Sequence, residues 1–255
     1  MNDPRHFNRE DSTQEQQYSF PYHHIPRLDE GRFSQHLYWT WGFRYIGGLE
    51  LVLQLLEKEE FGSLLDVGCG DGRFLAEVGN RWNDKNLTGI DLDERAIMIA
   101  KALVPGPEFV CADITSELHS DDVFDVVTLV EVLEHISPTE LPLFVKALAR
   151  YHRKGGRLII TVPHINKQVI SKHYQHFTGE MLATVVGDLY EVEEMIFFDK
   201  QSRFLGRVVS HLLVNRFFVL NSQPVLDFVY RIYKKFLFET GESVCGRICL
   251  VGRKR

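Results

Sequence analysis

A chain of 255 residues that is 44% hydrophobic is long enough to bury one sizeable core with a decoration on it. Its formal charge of -6 and pI near 6.0 leave no electrostatic footprint for non-specific duplex binding, so nucleic acid is disfavoured as a partner. The polar opening MNDPRHFNREDSTQEQQ lacks the apolar core of a signal peptide and no run is long enough to span a bilayer, so the expected location is the cytoplasm.

Residues 1–17 are polar without a hydrophobic period and are expected to be a disordered tail. Residues 18–48 form an aromatic, histidine-rich segment broken by Pro21 and Pro26. Its Tyr18, Tyr22, His23, His24, Tyr38, Trp39 and Trp41 suit a lid over a bound ligand. Packing onto an outer helix is the alternative, and it is preferred for Trp39 and Trp41. From Leu49 to Glu57 the apolar period is helical, and then strand and helix signals alternate. The strands are SLLDV, NLTGIDL, PEFVCAD, VFDVVTLVEV and RLIITVPH. Helices are predicted from Gly72 to about Trp82, over DERAIMIAKAL and over PTELPLFVKALARYH. Continuous apolar strands separated by amphipathic helices predict a doubly wound α/β fold with a mostly parallel sheet, whose ligands sit at the carboxyl ends of the strands.

The pattern then changes. YEVEEMIFFD and ESVCGRICLVGRK read as a late strand pair, separated by a helical insert over residues 203–241. Apolar pairs such as Leu212/Leu213, Val225/Leu226 and Ile232/Tyr233 recur there at helical spacing. Arg203, Arg207, Arg216, Arg231, Lys234 and Lys235 are compatible with a membrane-surface contact through residues 203–238, but a cap over the active site or a dimer face is the preferred reading. Monomer and homodimer both stay open. Residues 49–202 and 242–255 make up the expected main domain. Cys69, Cys111, Cys245 and Cys249 show no zinc-site spacing, and Cys245 and Cys249, on one face of a strand, are too far apart to bridge. Reduced, packed thiols are expected.

The first strand runs into LLDVGCGDGRFL, where Gly68, Gly70 and Gly72 let the backbone turn tightly and approach a ligand before a helix N-terminus. The spacing is GxGxG with Asp66 before it, rather than the GxGxxG of nicotinamide dinucleotide sites. At the end of the second strand, Asp91 in GIDLD can accept both hydroxyls of a ribose. After the third, CADI offers Asp113 to an exocyclic amine, with Ile114 and Leu92 as apolar walls. The order LLDVGCGDG, GIDLD, CADI and VEVLEHI, from about Leu49 to Pro163, resembles the class I S-adenosylmethionine-dependent methyltransferases. That resemblance implies a seven-stranded Rossmann-like sheet of order 3-2-1-4-5-7-6 with the last two strands antiparallel. It places Gly68, Gly70 and Gly72 along the methionine moiety, Asp91 on the ribose, Asp113 and Ile114 on adenine, and Glu131 and Val132 near the sulfonium. For Asp66 and Asp113, helix capping or the satisfaction of loop amides is the competing reading.

Methyl transfer from a sulfonium is an in-line displacement, so acceptor alignment and proton removal are the protein's share. An Asn/Asp-Pro-Pro-aromatic tetrapeptide, common in enzymes that methylate base amines, is replaced here by EVLEHI. A turn after Val132 would bring Glu131, Glu134 and His135 to one face, a ligand set suited to Mg²⁺, Mn²⁺ or Zn²⁺. The ExxEH element looks like that of small-RNA 2′-O-methyltransferases and ubiquinone-pathway O-methyltransferases. In the first of these a later histidine completes the metal site, a part His173 or His176 in SKHYQHFTGEML would play, His176 being preferred. Without a metal, His135 or a downstream histidine is the expected general base, Glu131 touches the cofactor, and His164 in TVPHINK orients the substrate or holds its loop. Thr178 caps the following helix, with Glu180 in its first turn.

The preferred function is O-methylation of a hydroxyl on a small molecule, a sugar or a lipid-linked intermediate. A metal-dependent RNA 2′-O-methyltransferase is the second enzyme reading, and a non-catalytic S-adenosylmethionine-binding module stands outside catalysis. A dinucleotide-dependent oxidoreductase shares the fold, but the glycine spacing and CADI argue against it.

Overall fold

A computed structural model describes residues 27–29, 32–34, 42–116, 123–202, 208 and 222–255. The tail over 1–17, most of the aromatic segment and the first half of the insert, with Arg203, Arg207 and Arg216, lie outside them. The described chain opens on a small antiparallel hairpin of β1 (Arg27–Asp29) and β2 (Arg32–Ser34). Helix α1 (Gly42–Leu56) begins well before Leu49, because Phe43 and Ile46 extend the buried stripe of Leu49, Val52, Leu53 and Leu56.

Seven strands build the main sheet: β3 (Ser63–Val67), β4 (Asn86–Asp91), β5 (Glu108–Cys111), β6 (Phe124–Val130), β7 (His152–Pro163), β8 (Tyr190–Phe198) and β9 (Arg247–Lys254). Their spatial order is β5-β4-β3-β6-β7-β9-β8, which is 3-2-1-4-5-7-6 within the sheet, as expected. The first five pair in parallel, and only β9 runs against its neighbours.

Helices close both faces. On one, α1, α2 (Arg73–Arg81) and α3 (Glu94–Leu103) share an apolar cluster with Leu226, Val229 and Tyr233 of the insert. On the other, α4 (Leu141–Leu148) and α5 (Gly179–Val186) pack against Leu65, Val127 and Ile160. Asp93 caps α3 by accepting from the amides of Arg95 and Ala96, and Thr178 caps α5 through Met181. Such a cap is worth about 1 kcal/mol.

Two boundaries differ from the sequence reading. The helix expected over PTELPLFVKALARYH occupies only Leu141–Leu148, with Pro142 in its first turn, where a missing N–H costs nothing. Tyr151 ends a 3-10 turn and His152 starts β7, where it pairs with Phe124. The strand expected over VFDVVTLVEV stops at Val130, because Glu131 takes a left-handed backbone, φ 59°.

The described half of the insert is α6 (Gln223–Tyr233) followed by a π turn, Lys234–Phe238. Of its apolar pairs, Leu226, Val229, Tyr233 and Leu237 face inward, while Phe228 and Phe236 stay exposed. Helix α6 is fastened to α1 by Tyr230 Oη donating to Glu50 (2.9 Å) and by the Lys234–Glu50 ion pair (2.9 Å). The four thiols are free; Cys69, Cys245 and Cys249 are buried, but Cys111 is exposed, and Cys245 precedes β9 rather than sharing its face. No helix among the described residues is long and apolar enough to cross a membrane.

Candidate active site at the carboxyl edge of the sheet

The glycine loop leaves β3 at Val67, and the amides of Gly68 and Cys69 both donate to Ile90 O on β4, at 2.7 and 3.0 Å. Gly68 has φ 73°, and a Cβ there would lie 2.6 Å from Val132 Cγ2. The loop that is expected to follow the methionine moiety is therefore pressed against the turn after β6. Gly72, at φ 76°, lies so close to Phe109 that a Cβ would come within 2.7 Å of its ring.

Asp91 fixes this loop as well as closing β4. Its Oδ2 accepts from Gly70 N (2.8 Å) and its Oδ1 from Asp93 N (2.9 Å), and burial raises its pKa against those two stabilising bonds. Each oxygen keeps a further lone pair for a hydroxyl donor. Asp66 is interior: Thr128 Oγ1 donates to its Oδ1 at 2.7 Å, and burial pushes its carboxyl up to about 7. Asp113 accepts from Thr115 N and Oγ1, at 2.8 and 2.7 Å, so it organises its own turn while staying exposed. Leu92 is 71% exposed, whereas Ile114 is packed into the core.

Beyond β6 the acids and imidazoles gather. Leu133–His135 is a single 3-10 turn. The segment after β7 is strapped to it: Tyr174 N donates to Glu134 O (2.8 Å), His135 Nδ1 to Lys172 O (2.9 Å) and Gln175 Nε2 to Ile136 O (3.3 Å). These bonds set the His173 ring edge-on to His135, with centroids 4.8 Å apart. Glu134, His135 and His173 offer ligand atoms within 4.8 Å of one another.

This differs from the expected set of Glu131, Glu134, His135 and His176. Glu131, on a left-handed backbone, lies near enough for its charge to act on Glu134 and His135 but is not one of the three that gather, and its buried Oε1 has no hydrogen-bond partner. His176 is committed on both nitrogens, Nδ1 donating to Lys167 O (3.0 Å) and Nε2 meeting His173 Nδ1 (2.8 Å). The sequence offers His173 as a candidate base and His176 as the preferred ligand; nothing in the local spacing tells which of the two reaches the turn.

Burial and the nearby Glu131 hold the Glu134 carboxyl well above its ordinary range, and its Oε2 has no hydrogen-bond partner. Burial lowers His135, and burial together with the neighbouring rings lowers His173 to about 3, so both imidazoles are neutral at physiological pH. An orphaned carboxylate oxygen beside two neutral imidazoles fits a divalent cation, and two nitrogen donors favour Zn²⁺ or Mn²⁺ over Mg²⁺. His164 is placed differently. Its Nδ1 accepts from Asn166 N (3.0 Å), which leaves Nε2–H facing Glu242 Oε1 at 3.5 Å.

Residues 65–160 match the family described as "Methyltransferase domain". Over that stretch the chain carries a methyltransferase domain. It is 34% identical over 108 residues to the ubiquinone biosynthesis O-methyltransferase of Aeromonas salmonicida, covering 40% of this chain and 44% of that protein. To the mitochondrial ubiquinone biosynthesis O-methyltransferase of Saccharomyces cerevisiae it is 32% identical over 136 residues, 51% of this chain and 42% of the relative. The methyltransferase match thus spans less than half the length of either relative. Among solved structures, the N-methyltransferase NodS of Bradyrhizobium japonicum covers 83% of this chain and 96% of its own at TM-score 0.56 and 16% identity. The [4+2]-cyclase SpnF covers 91% and 87% at TM-score 0.58 and 20% identity. At such identities they share the fold alone, and an N-methyltransferase and a cyclase on one fold mean that it hosts more than one reaction.

Proposed function

We propose that the protein methylates a hydroxyl oxygen of a small molecule, a sugar or a lipid-linked intermediate, with His135 and His173 as the proton-accepting groups. The observation that carries this reading is the pair of neutral imidazoles held beside the Gly68–Val132 contact, where the cofactor loop meets the turn after β6. S-adenosylmethionine supplies an electrophilic methyl group. The glycine loop would cradle it, Asp91 would accept from its ribose hydroxyls, and Asp113 and Leu92 would line its adenine, with Ile114 packed in the core behind them. Glu131 and Val132 close the sulfonium side. An acceptor hydroxyl on the imidazole side of this turn loses its proton to Nε2 of His135 or His173 as the oxygen attacks. The same side chains suit a cation-assisted version, in which Glu134, His135 and His173 hold a divalent metal that acidifies the hydroxyl. The similarity to the two ubiquinone biosynthesis O-methyltransferases supports oxygen as the acceptor atom.

The test is transfer of labelled methyl from S-adenosylmethionine into fractionated cell extract, with and without a chelator. His135→Ala and His173→Ala are each expected to lower the rate about 10²- to 10⁴-fold while leaving cofactor affinity unchanged. Label that persists in chelator assigns the imidazoles as bases, and label lost in chelator assigns the metal version. Label appearing on amines alone, or wild-type rates in both variants, would sink the oxygen-acceptor reading.

A further inference from the structure

We infer that His176 is a positioning residue: through its two ring nitrogens it fixes the tautomer and the orientation of His173, so that His173 presents an unprotonated Nε2 to the reaction. The inference rests on the reading above, in which His173 handles the acceptor proton.

The chain of hydrogen bonds admits one sense. A carbonyl oxygen only accepts, so Lys167 O, 3.0 Å from His176 Nδ1, requires a proton on that nitrogen. A neutral His176 ring then carries a lone pair on Nε2. His173 Nδ1, 2.8 Å away, must donate to it. With its proton on Nδ1, His173 has its lone pair on Nε2. His135 is built the same way, because Lys172 O takes its Nδ1 proton at 2.9 Å. Two rings from different segments thus carry the same tautomer, each imposed by a backbone carbonyl, one directly and one through His176. A free imidazole favours the opposite form, with the proton on Nε2, which would turn a donor toward the acceptor hydroxyl and leave no base.

His176 is suited to the task by its place. It is only 4% exposed, and the loop around it is pinned by Ile165 N to Phe177 O (3.1 Å) and Phe177 N to Pro163 O (3.1 Å). Neither of its nitrogens is left for substrate or metal. Outer groups that orient a working histidine commonly change activity 10- to 100-fold when removed.

The experiment compares wild type, His176→Leu and His176→Gln, labelled with ¹⁵N-histidine, by long-range ¹H–¹⁵N correlation, which reads the tautomer of each ring without cofactor, metal or turnover. Wild type is expected to show His173 protonated on Nδ1, and His176→Leu to shift it to the Nε2-protonated form. His176→Gln is expected to restore the native tautomer, since an amide oxygen replaces the acceptor and its NH₂ can still reach Lys167 O. In parallel, kcat for methyl transfer should fall about 10- to 100-fold in the leucine variant, with KM for S-adenosylmethionine unchanged, and recover in the glutamine variant. Melting curves of both variants check folding. His173 protonated on Nε2 in wild type, or unaltered by His176→Leu, overturns the inference. A tautomer that switches while kcat holds leaves His176 in control of the ring and refutes the proton-handling role of His173 instead.

Discussion

Gly68 shows how much one residue can carry. Its φ of 73° and the 2.6 Å approach of Val132 to its missing Cβ act together: any side chain adds left-handed strain of about 1–2 kcal/mol and forces the turn after β6 outward. Gly68→Ala is therefore expected to weaken S-adenosylmethionine binding at least about tenfold, the equivalent of 1.4 kcal/mol. Titration calorimetry against S-adenosylhomocysteine would measure it, and an unchanged Kd would show that the loop has slack. The glycine spacing announced this loop in the sequence. What stayed illegible was its partner, because Gly68 and Val132 are far apart along the chain and only the pairing of β3 with β6 brings them together. Asp91 was legible as an acid at a strand end, but its service to Gly70 and Asp93 depends on loop geometry that spacing does not encode.

The elements meet at Asp199, which follows β8 with φ 62° and is 1% exposed. Its Oδ1 lies 3.3 Å from Arg44 Nε on α1 and its Oδ2 3.7 Å from Arg247 Nε on β9, while Arg247 also donates to Arg44 O. One carboxylate thus joins a helix and two strands. Asp199→Ala removes a counter-charge shared by Arg44 and Arg247, leaving Arg247 only the charge of Glu131, and removing one partner of a buried ion pair costs about 3–5 kcal/mol. Urea denaturation should show a fall of that order, and Asp199→Asn, which tolerates the left-handed backbone, should lose less. Equal losses in the two variants would make the charge, not the backbone, the source. The sequence marked α1 only from Leu49, since Gly47 and Gly48 interrupt the apolar period. The reason for those glycines lies in the fold: a Cβ on Gly48 would come within 2.8 Å of Arg247, and one on Gly47 within 3.0 Å of Tyr233.

At the scale of the molecule, strand order and both layers could be read from alternating apolar runs, because a parallel sheet buries its strands on both faces and so writes them as continuous hydrophobic segments. The histidine cluster could not, since it depends on how the segment after β7 folds back on the turn after β6. Global stability also carries a signature of the interior. Asp66 titrates at about 7 in the folded protein, against 3.8 ordinarily, so the native state holds its proton longer than the unfolded chain does. The stability this contributes is full below the unfolded pKa and is lost as pH rises through the folded one. Asp66→Asn should accordingly stabilise the protein relative to wild type at pH 8, by up to about 4 kcal/mol at 1.36 kcal/mol per pH unit, and the advantage should vanish near pH 4. Paired melting curves across that range test it; a constant difference would place the ionisation of Asp66 elsewhere.

The position of β9 between β7 and β8 sets an order of events. Strand β8 touches the rest of the sheet only through β9, so during folding it can join the sheet only together with the later strand or after it. Until then β7 is a bare edge carrying Leu158, Ile159, Ile160 and Val162, the kind of surface that recruits stray strands. The last strand thus acts as a wedge that arrives late, and the slow, non-local pairing of β7 with β9 is the step at which a nascent molecule is most exposed to aggregation.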